Sequence, residues 1–307
     1  MRRAAVIAVA AACALAAGTA CSDTTSSRGS ASGARSAASA APGPRFYVSM
    51  GDSLSQGDQP DAAGDSTATG QGYPDQLYGA LRRGTPGLRM VKLGCSGETT
   101  GTMIHGGKCR YPGGSQLAAA DRFLRAHRGH VSLITIDIGA NDPDSCVRGH
   151  SADEIAAGTI ARCLNSRFRT TLARLATILQ RLRAAAGRKV TIIGMSYYVP
   201  ELAAWLTTFT GKVIAAVSER LVAAYNGLLA GVYRRYHARV ADVFGAFHSG
   251  DFSDRARLPG IGTVPRNVAT VCEWTWTCAS PPRGPDEHAN KIGYGVIARA
   301  FLLADRR

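Results

Sequence analysis

Five short apolar runs alternate along the chain with segments whose apolar residues recur every three or four positions. The short runs predict buried strands, and the periodic segments predict helices with one apolar face. The predicted strands are 46–50, 88–93, 131–138, 189–195 and 239–244. The predicted helices are 73–83, 116–127, 152–163, 166–186, 211–236 and 290–304, and long loops are expected over 56–72 and 246–287.

Strands that alternate with helices predict an α/β domain whose parallel sheet is covered on both faces and joined by right-handed crossovers. Binding sites in such sheets form beyond the carboxyl ends of the strands. Three predicted strands end in small polar segments, which contain Ser53, Gly94 and Asn141. We therefore expect these three residues to lie along one edge of the sheet. The 56–72 loop suits a rim that faces a substrate there, or is simply a surface loop.

The first 44 residues differ in composition from the rest. Arg2 and Arg3 precede an apolar run, 4–17, that is too short to span a bilayer, and small residues follow, so residues 1–20 are predicted to be a secretory signal peptide. Cleavage there would expose Cys21 for lipidation, as in bacterial lipoproteins; Gly18 occupies the position where a lipobox usually has leucine, and plain secretion is the alternative.

Residues 21–44 are mostly Ser, Ala, Gly, Thr and Pro, which predicts a disordered tether because such a segment buries no core. Residues 45–307 are then left for one domain. Beyond the signal peptide, the sequence analysis predicts no segment that is long and apolar enough to cross a membrane.

The formal net charge is +14, and it falls to +12 without residues 1–20, which carry Arg2 and Arg3 and no acid. The basic residues are 31 arginines and 5 lysines, scattered among the predicted helices. Such a surface favours anionic envelope polymers or lipid head groups as partners. Nucleic acid is a poor candidate partner, because the chain is predicted to be exported and has no nucleic-acid-binding motif.

Six cysteines lie in the predicted domain, and an even number in an exported protein predicts disulfides. Pairing by closeness in the sequence gives Cys95–Cys109, Cys146–Cys163 and Cys272–Cys278. A zinc site is the alternative, but the chain has neither a C-x-x-C pair nor a histidine cluster, so we expect no metal and no cofactor.

Ser53 is a candidate nucleophile because it directly follows the first predicted strand, although Gly-Asp-Ser also suits an ordinary strand-to-helix turn. The segment lacks the G-x-S-x-G pattern of an α/β-hydrolase elbow. A nucleophilic serine needs a base, and His288 is the best of seven histidines because two acids precede it and a helix follows. Asn141, which is followed by Asp142, suits an ordinary turn at the end of a strand.

Four blocks follow one another here in the order and spacing of the GDSL (SGNH) hydrolases, and the chain resembles this family from Phe46 onward. The blocks are Gly51-Asp52-Ser53-Leu54, Gly94, Gly139-Ala140-Asn141-Asp142 and His288. The resemblance implies a flavodoxin-like three-layer α/β/α fold with about five parallel strands and serine-dependent ester hydrolysis without a metal. Matched position by position, it implies Ser53 as the nucleophile and His288 as the base. The oxyanion donors would be the Ser53 amide, the Gly94 amide and the Asn141 side chain.

The chain departs from the family's pattern at the third member of the triad. The family usually has an aspartate three residues before its histidine, and Pro285 occupies that position here. Asp286, two residues before His288, is our candidate for orienting the Nδ1 proton of the histidine. A backbone carbonyl is the alternative.

The three predicted disulfides and these motifs together resemble secreted esterases and lipases of high-GC Gram-positive bacteria. Trp274 and Trp276 lie within the short Cys272–Cys278 loop, close to His288 in the sequence. They either form a wall of an acyl or glycan pocket or pack inward against the domain.

Three functions follow as hypotheses. The first is an exported monomeric ester hydrolase, secreted or tethered outside the cell membrane, that acts on small-molecule or lipid esters through an acyl-Ser53 intermediate. The second keeps the fold but acts on O-acetylated glycans as a carbohydrate or cell-wall deacetylase. The third is a surface binding protein that retains the scaffold without catalysis.

Overall fold

The computed structural model describes residues 45–147 and 160–306. The chain divides into two units, 1–41 and 42–307, and every described residue belongs to the second. The predicted signal peptide, Cys21, the tether and most of the predicted helix 152–163 lie outside the described residues and stay predictions.

The strands and helices alternate as the apolar pattern predicts. The strands are β1 (Phe46–Gly51), β2 (Gln59–Pro60), β3 (Ser66–Thr67), β4 (Arg89–Lys92), β5 (Val131–Asp137), β6 (Thr191–Met195), β7 (Arg239–Ala241), β8 (Arg255–Leu258), β9 (Gly262–Pro265), β10 (Thr275–Trp276) and β11 (Asp286–Ala289). The described helices are α1 (Ser53–Gln56), α2 (Tyr73–Gly84), α3 (Thr100–His105), α4 (Gln116–Ala126), α5 (Asp144–Val147), α6 (Ala161–Ala186), α7 (Phe209–Arg235), α8 (Val243–Ala246), α9 (Arg266–Trp274) and α10 (Lys291–Asp305), with a 3₁₀ helix over Pro200–Leu206.

A parallel sheet of five strands forms the centre of the domain, in the order β4-β1-β5-β6-β7. Taken in chain order, its strands therefore lie 2-1-3-4-5, which is the flavodoxin-like arrangement. Val48 of β1 is in register with Val91 on one side and with Ile134 on the other. The expected parallel α/β fold is confirmed.

The helices form two groups, as two covering layers require. Helix α2 packs against α10, whereas α6 packs against both α4 and α7. Between them the central strands are buried on both faces: all six residues of β1 are buried, and β5 has one partly exposed residue. Burying both faces explains why these strands are continuous apolar runs rather than alternating ones.

Two regions differ from the prediction. The predicted strand 239–244 ends at Ala241, because the side chain of Asp242 accepts a hydrogen bond from the Gly245 amide and begins α8. The predicted long loop 246–287 contains the β8–β9 hairpin, helix α9 and β10. Its elements are short, and short elements give weak periodicity in the sequence.

Helix α7 corrects another expectation. By length and composition alone it is able to cross a membrane, so the expectation that no such segment follows the signal peptide was wrong. Tyr225, Leu229 and Tyr233 nevertheless pack in the core, and Asn226 exchanges two hydrogen bonds with the backbone of Tyr197. These contacts make α7 part of the helical layer over the sheet.

The three disulfides predicted from closeness in the sequence are present: Cys95–Cys109, Cys146–Cys163 and Cys272–Cys278. The first follows β4 and the third joins α9 to the segment after β10. Both therefore fix chain segments near the carboxyl edge of the sheet, where the site is expected.

Candidate active site

Ser53 is the first residue of α1, directly beyond the end of β1. The Asp52 side chain caps this helix, because its Oδ1 accepts a hydrogen bond of 3.1 Å from the Leu54 amide. Gly51 has a φ of 138°, and a Cβ there would lie 2.2 Å from the carbonyl oxygen of Asp137. Only glycine fits at that position, so the sharp turn that presents Ser53 depends on it.

Two buried side chains form hydrogen bonds with the backbone of this turn. Gln116 accepts from the Gly51 amide at 2.8 Å and donates to the Gly51 carbonyl at 2.9 Å. Oδ2 of Asp137 accepts from the amides of Ser55 at 3.2 Å and Asp52 at 3.3 Å. Neither Gln116 nor Asp137 was predicted from the sequence to support this turn. Asp137 could have been found, because it is a carboxylate at the end of the apolar run 131–137, and a buried carboxylate needs hydrogen-bond partners.

Asp52 and Asp137 form a buried carboxyl pair beneath Ser53. Burial raises the pKa of Asp52 to about 6. Burial and the charge of Asp52 raise the pKa of Asp137 well above its usual value, which favours the protonated form of this carboxyl. Oδ2 of Asp52 has no hydrogen-bond partner among the described residues. Tyr73 donates its hydroxyl hydrogen bond to Oδ1 of Asp137.

His288 lies on β11 and is 8% exposed. Its Nδ1 lies 2.8 Å from Oδ1 of Asp286, and the same oxygen accepts from the His288 amide at 2.9 Å. The Ser66 hydroxyl also lies 3.2 Å from Nδ1. Asp286, the candidate chosen from the sequence, therefore contacts the nitrogen that an orienting acid must contact, which leaves Nε2 for a substrate or nucleophile.

The Asp286–His288 contact shifts both pKa values. Burial lowers the pKa of His288, but the hydrogen bond and charge of Asp286, together with the charges of Glu287 and Asp58, raise it by more, so the pKa is above its ordinary value. Burial raises the pKa of Asp286, but the bond to His288 and its charge lower it by more. The pair therefore favours an ionised Asp286 and a more basic imidazole.

The strand that carries this pair is held by β10. Thr275 of β10 pairs with Ala289, and the Thr277 hydroxyl donates to the Asp286 carbonyl at 3.2 Å. The Cys272–Cys278 disulfide closes the segment around β10. It therefore constrains the neighbour of the strand that bears Asp286 and His288.

Trp274 and Trp276 contact other side chains of the domain and do not line the cavity that contains Ser53, which is described below. Trp274 makes an edge contact with Phe247, at 5.4 Å between ring centroids. Trp276 donates from Nε1 to Gln59 at 3.3 Å. Neither is among the described residues that line the cavity. Of the two alternatives from the sequence, this arrangement favours packing, and the pocket-wall role stays a prediction.

Gly94 follows β4 at the same edge of the sheet. A Cβ on Gly94 would lie 1.9 Å from the Ser55 hydroxyl, so glycine lets this segment approach helix α1. The amides of Leu93 and Cys95 donate to the carbonyls of Ser49 and Gly51. Gly94 itself is not among the described residues that line the cavity around Ser53.

Asn141 follows β5, and its side-chain amide donates to the Glu98 carbonyl at 2.9 Å. This bond fixes the side chain and uses one of its two N–H donors. Next to it, the Asp142 carboxylate accepts from both the amide and the hydroxyl of Thr100. The segment after β5 is thereby attached to the start of α3.

One cavity of about 720 Å³ brings three of the candidate residues together, namely Ser53, Asn141 and His288. The described residues that line it are Ser53, Asp58, Ser66, Ser96, Gly97, Thr99, Lys108, Asn141, Asp142, Asp144, Ser145, Arg167, Thr170, Thr171, Arg174, Glu287 and His288. Ser53, Asn141 and His288 come from three separate parts of the chain, and His288 is the cavity's only lining histidine among the residues described. Asp58 and Ser66 show that the 56–72 loop contributes to the rim.

Asp286, Glu287 and His288 are the described cluster with metal-ligand potential, with ligand atoms within 4.8 Å of one another. Their closeness follows from their adjacency in the sequence. Oδ1 of Asp286 and Nδ1 of His288 are already bonded to each other. A metal would have to compete with that contact for these two atoms.

Comparison with known proteins adds family and fold. The sequence model of the GDSL-like Lipase/Acylhydrolase family matches residues 49–262, a span that includes Ser53, Gly94 and Asn141 and ends before Asp286 and His288. A search of curated proteins gave no significant match.

Solved structures with the same fold include three hydrolases. An extracellular lipase from Streptomyces rimosus is 17% identical, covering 85% of this chain and 99% of its own, with a TM-score of 0.55. The lipase Lip_vut3 from a goat rumen metagenome is 13% identical over 85% and 97%, with a TM-score of 0.52. A phospholipase A1 from Streptomyces albidoflavus is 18% identical over 85% and 99%, with a TM-score of 0.51. At these identities the similarity establishes the fold alone.

Proposed function

Because the chain belongs to the GDSL-like lipase/acylhydrolase family, we propose that it hydrolyses carboxylic esters through an acyl intermediate on Ser53. The observation that carries the proposal is the shared cavity of Ser53, Asn141 and His288, with Asp286 bonded to Nδ1 of the histidine. A serine hydroxyl needs an oriented base and donors for the oxyanion, and these residues supply both kinds of group.

In the proposed reaction, the Ser53 oxygen attacks the ester carbonyl carbon while Nε2 of His288 takes the hydroxyl proton. The negative charge on the former carbonyl oxygen is stabilised by the amides of Ser53 and Gly94 and the side chain of Asn141. The intermediate collapses as His288 returns the proton to the departing alcohol. Water then attacks the acyl group in the same way and releases the acid and free Ser53.

The test of this function is turnover of p-nitrophenyl acetate by the full-length protein and by Ser53→Ala. We expect the substitution to lower kcat by about 10⁴-fold or more, and a fluorophosphonate probe to label the wild type and not the variant. Ser55→Ala, which alters the neighbouring hydroxyl that bonds to the Asp52 carbonyl, is the matched control and should keep its label. Wild-type turnover by Ser53→Ala would end the proposal and favour a binding protein without catalysis.

The lining of the cavity bears on the substrate. Among the described lining residues there is no aliphatic or aromatic side chain other than the imidazole of His288. Lipid-binding pockets are predominantly apolar, so this lining favours a short acyl group on a polar alcohol. The O-acetylated glycan hypothesis is therefore a specific second candidate beside a lipase.

An acyl-chain series separates the two candidates. With p-nitrophenyl acetate, butyrate and laurate, we expect the largest kcat/KM for acetate and the smallest for laurate. Acetate release from acetylated xylan and from O-acetylated peptidoglycan then tests a glycan directly. A preference for laurate would show that the polar lining does not hold the acyl group and would restore the lipase alternative.

Export is the remaining part of the proposal. The three disulfides support it, because such bonds persist in oxidising compartments. We propose that residues 1–20 direct export and that Cys21 carries a lipid anchor. Metabolic labelling with a fatty acid should mark the wild type and not Cys21→Ser; an unlabelled wild type in the culture medium would instead indicate plain secretion.

A further inference from the structure

Two unpaired arginines of α6 line the cavity that contains Ser53 and His288. Arg167 and Arg174 are seven positions apart, so they lie on the same face of the helix, about 10 Å apart along its axis. Thr170 and Thr171, at intermediate positions on this face, also line the cavity. We call the surface formed by these four residues the α6 wall.

The α6 wall is not neutralised by the described residues. Within 45–147 and 160–306, neither Arg167 nor Arg174 has an ion pair or a hydrogen bond to a side chain. Arg181, two turns after Arg174, is different: it donates to Oδ2 of Asp121 from Nε at 2.9 Å and also from Nη2. The helix thus pairs one arginine outside the cavity and leaves two unpaired in its lining, of which Arg167 is exposed and Arg174 partly exposed.

Two glycines make room for cationic side chains in the cavity. A Cβ on Gly101 would lie 3.0 Å from Nη1 of Arg174, and a Cβ on Gly97 would lie 2.9 Å from Nζ of Lys108. Lys108 also lines the cavity. Three cations therefore border the same space, two of them over backbone that lacks side chains.

Four acidic residues also line the cavity: Asp58, Asp142, Asp144 and Glu287. Asp58 and Glu287 lie close enough for their charges to raise the pKa of His288, which assigns them to the catalytic end. Both carboxylate oxygens of Asp142 accept hydrogen bonds from Thr100. Asp58 and Glu287 therefore lie beside the candidate base, whereas the unpaired arginines belong to the α6 wall, and such a distribution of charge orients a charged substrate.

From this arrangement we infer that the substrate is an ester whose alcohol part carries a carboxylate or phosphate group, which binds Arg167 and Arg174 while the ester bond lies at Ser53. The inference rests on the proposed function. Because the proposed acyl group is short, the charged group belongs to the alcohol. Guanidinium groups bind carboxylate and phosphate through paired, charge-assisted hydrogen bonds.

Two matched pairs of esters test the inference on the full-length protein. 1,2-Diacetylglycerol 3-phosphate is compared with triacetin, and 4-acetoxybenzoate with its methyl ester. We expect a higher kcat/KM for the anionic member of at least one pair, and added salt should reduce the preference. A preference within the phosphate pair alone or the carboxylate pair alone identifies which anion the wall binds.

Variants then assign the preference to the wall. In the Arg167→Gln/Arg174→Gln double variant, the ratio of kcat/KM for the anionic and neutral esters should fall by about tenfold or more, because charge-assisted bonds are lost. Arg169→Gln is the matched control: it removes the same charge from the same helix at an exposed position outside the lining, and its ratio should match the wild type. Thermal unfolding establishes that the variants fold.

The inference is overturned if the wild type prefers the neutral member of both pairs, or if the double variant keeps the wild-type ratio. Neither result affects the proposed function, since neutral triacetin would still be hydrolysed and Ser53→Ala would still abolish that activity. If the wild type failed to hydrolyse triacetin, that result would instead contradict the proposed ester hydrolase function.

Discussion

Two carboxyl sites lie beside Ser53, and they behave in opposite ways. Asp52 and Asp137 are buried together, and burial raises the pKa of both. Asp286 is bonded to His288, and its pKa is lowered. The difference teaches that burial raises the pKa of a carboxyl group unless a partner opposes it. Burial acts on all three carboxyls, but only Asp286 has an imidazole whose hydrogen bond and charge lower the pKa by more.

The two sites also have different structural roles. The Asp52–Asp137 pair fixes backbone, since the amides of Asp52 and Ser55 both donate to Asp137. The ionised Asp286 fixes a side chain, since it holds Nδ1 of His288. We therefore expect substitution of the first site to affect stability most, and substitution of the second to affect catalysis most.

Asp286→Asn has the largest expected effect of the predictions that separate the sites. An amide in place of the carboxylate no longer favours the N–H at Nδ1, and kcat should fall by about 10³–10⁴, with an unfolding temperature close to that of the wild type. Steady-state kinetics with p-nitrophenyl acetate measures this. A fall of less than about tenfold would transfer the orienting role to a backbone carbonyl or to Ser66.

Asp137→Leu should mainly lower stability. It removes the acceptor of the Ser55 amide and the Tyr73 hydroxyl, whereas the Asp52 amide keeps its bond to the Asp137 carbonyl, and an unsatisfied buried donor costs about 1–3 kcal/mol. The free energy of unfolding in urea should fall by at least about 2 kcal/mol. Asp137→Asn, which keeps an acceptor oxygen, is the control and should lose less. Equal losses would show that the carboxyl oxygens do not hold the turn.

The pH dependence of kcat/KM sharpens the comparison further. The proposed base works as neutral imidazole, and the pKa of His288 lies above its ordinary value of 6.5, so kcat/KM should fall as the pH drops through that raised pKa. Asp286→Asn removes the charge that raises it, and the midpoint should move to lower pH by about one unit or less. Asp137→Asn should leave the midpoint in place. A midpoint that moves equally in both variants would contradict the separation of roles.

The smallest expected effect is on the pH dependence of stability. A carboxyl whose folded pKa is raised stabilises the fold most below its unfolded pKa, and this contribution is lost as the pH rises through the folded pKa, about 6 for Asp52. The free energy of unfolding should therefore fall over that range by at most about 1.4 kcal/mol per pH unit for each proton. Asp137→Asn should show a shallower slope in urea titrations at several pH values. An unchanged slope would mean that no proton is shared by the pair.

Much of the fold was predictable because it depends on local patterns. The five strands of the sheet and most of the described helices follow from apolar periodicity, and the disulfides from closeness along the chain. The structure of the 246–287 region was not predictable, because its short helix and hairpin depend on packing between distant segments. Asp242 illustrates the limit: its side chain ends β7 by capping α8, which the apolar run through 244 conceals.

The residues of the candidate site also differ in how far local sequence patterns identify them. Residues at strand ends, such as Ser53 and Asn141, were identifiable because motif and position agree. Other site residues were not identifiable, because each acts across a long sequence separation. Gln116 bonds to Gly51, Asp137 bonds to Ser55, and Arg174 lies over Gly101. A helix pattern shows which face a residue is on but not which cavity that face borders.

The most direct test of the central claim is to identify the residue that carries the acyl group. The full-length protein is mixed with p-nitrophenyl acetate, quenched in acid during turnover, digested and analysed by mass spectrometry. The account predicts an acetyl group on Ser53, present in the wild type and absent from Ser53→Ala. Acetylation of a different residue, or steady hydrolysis with an unmodified Ser53 under conditions that trap acyl-enzymes, would contradict it.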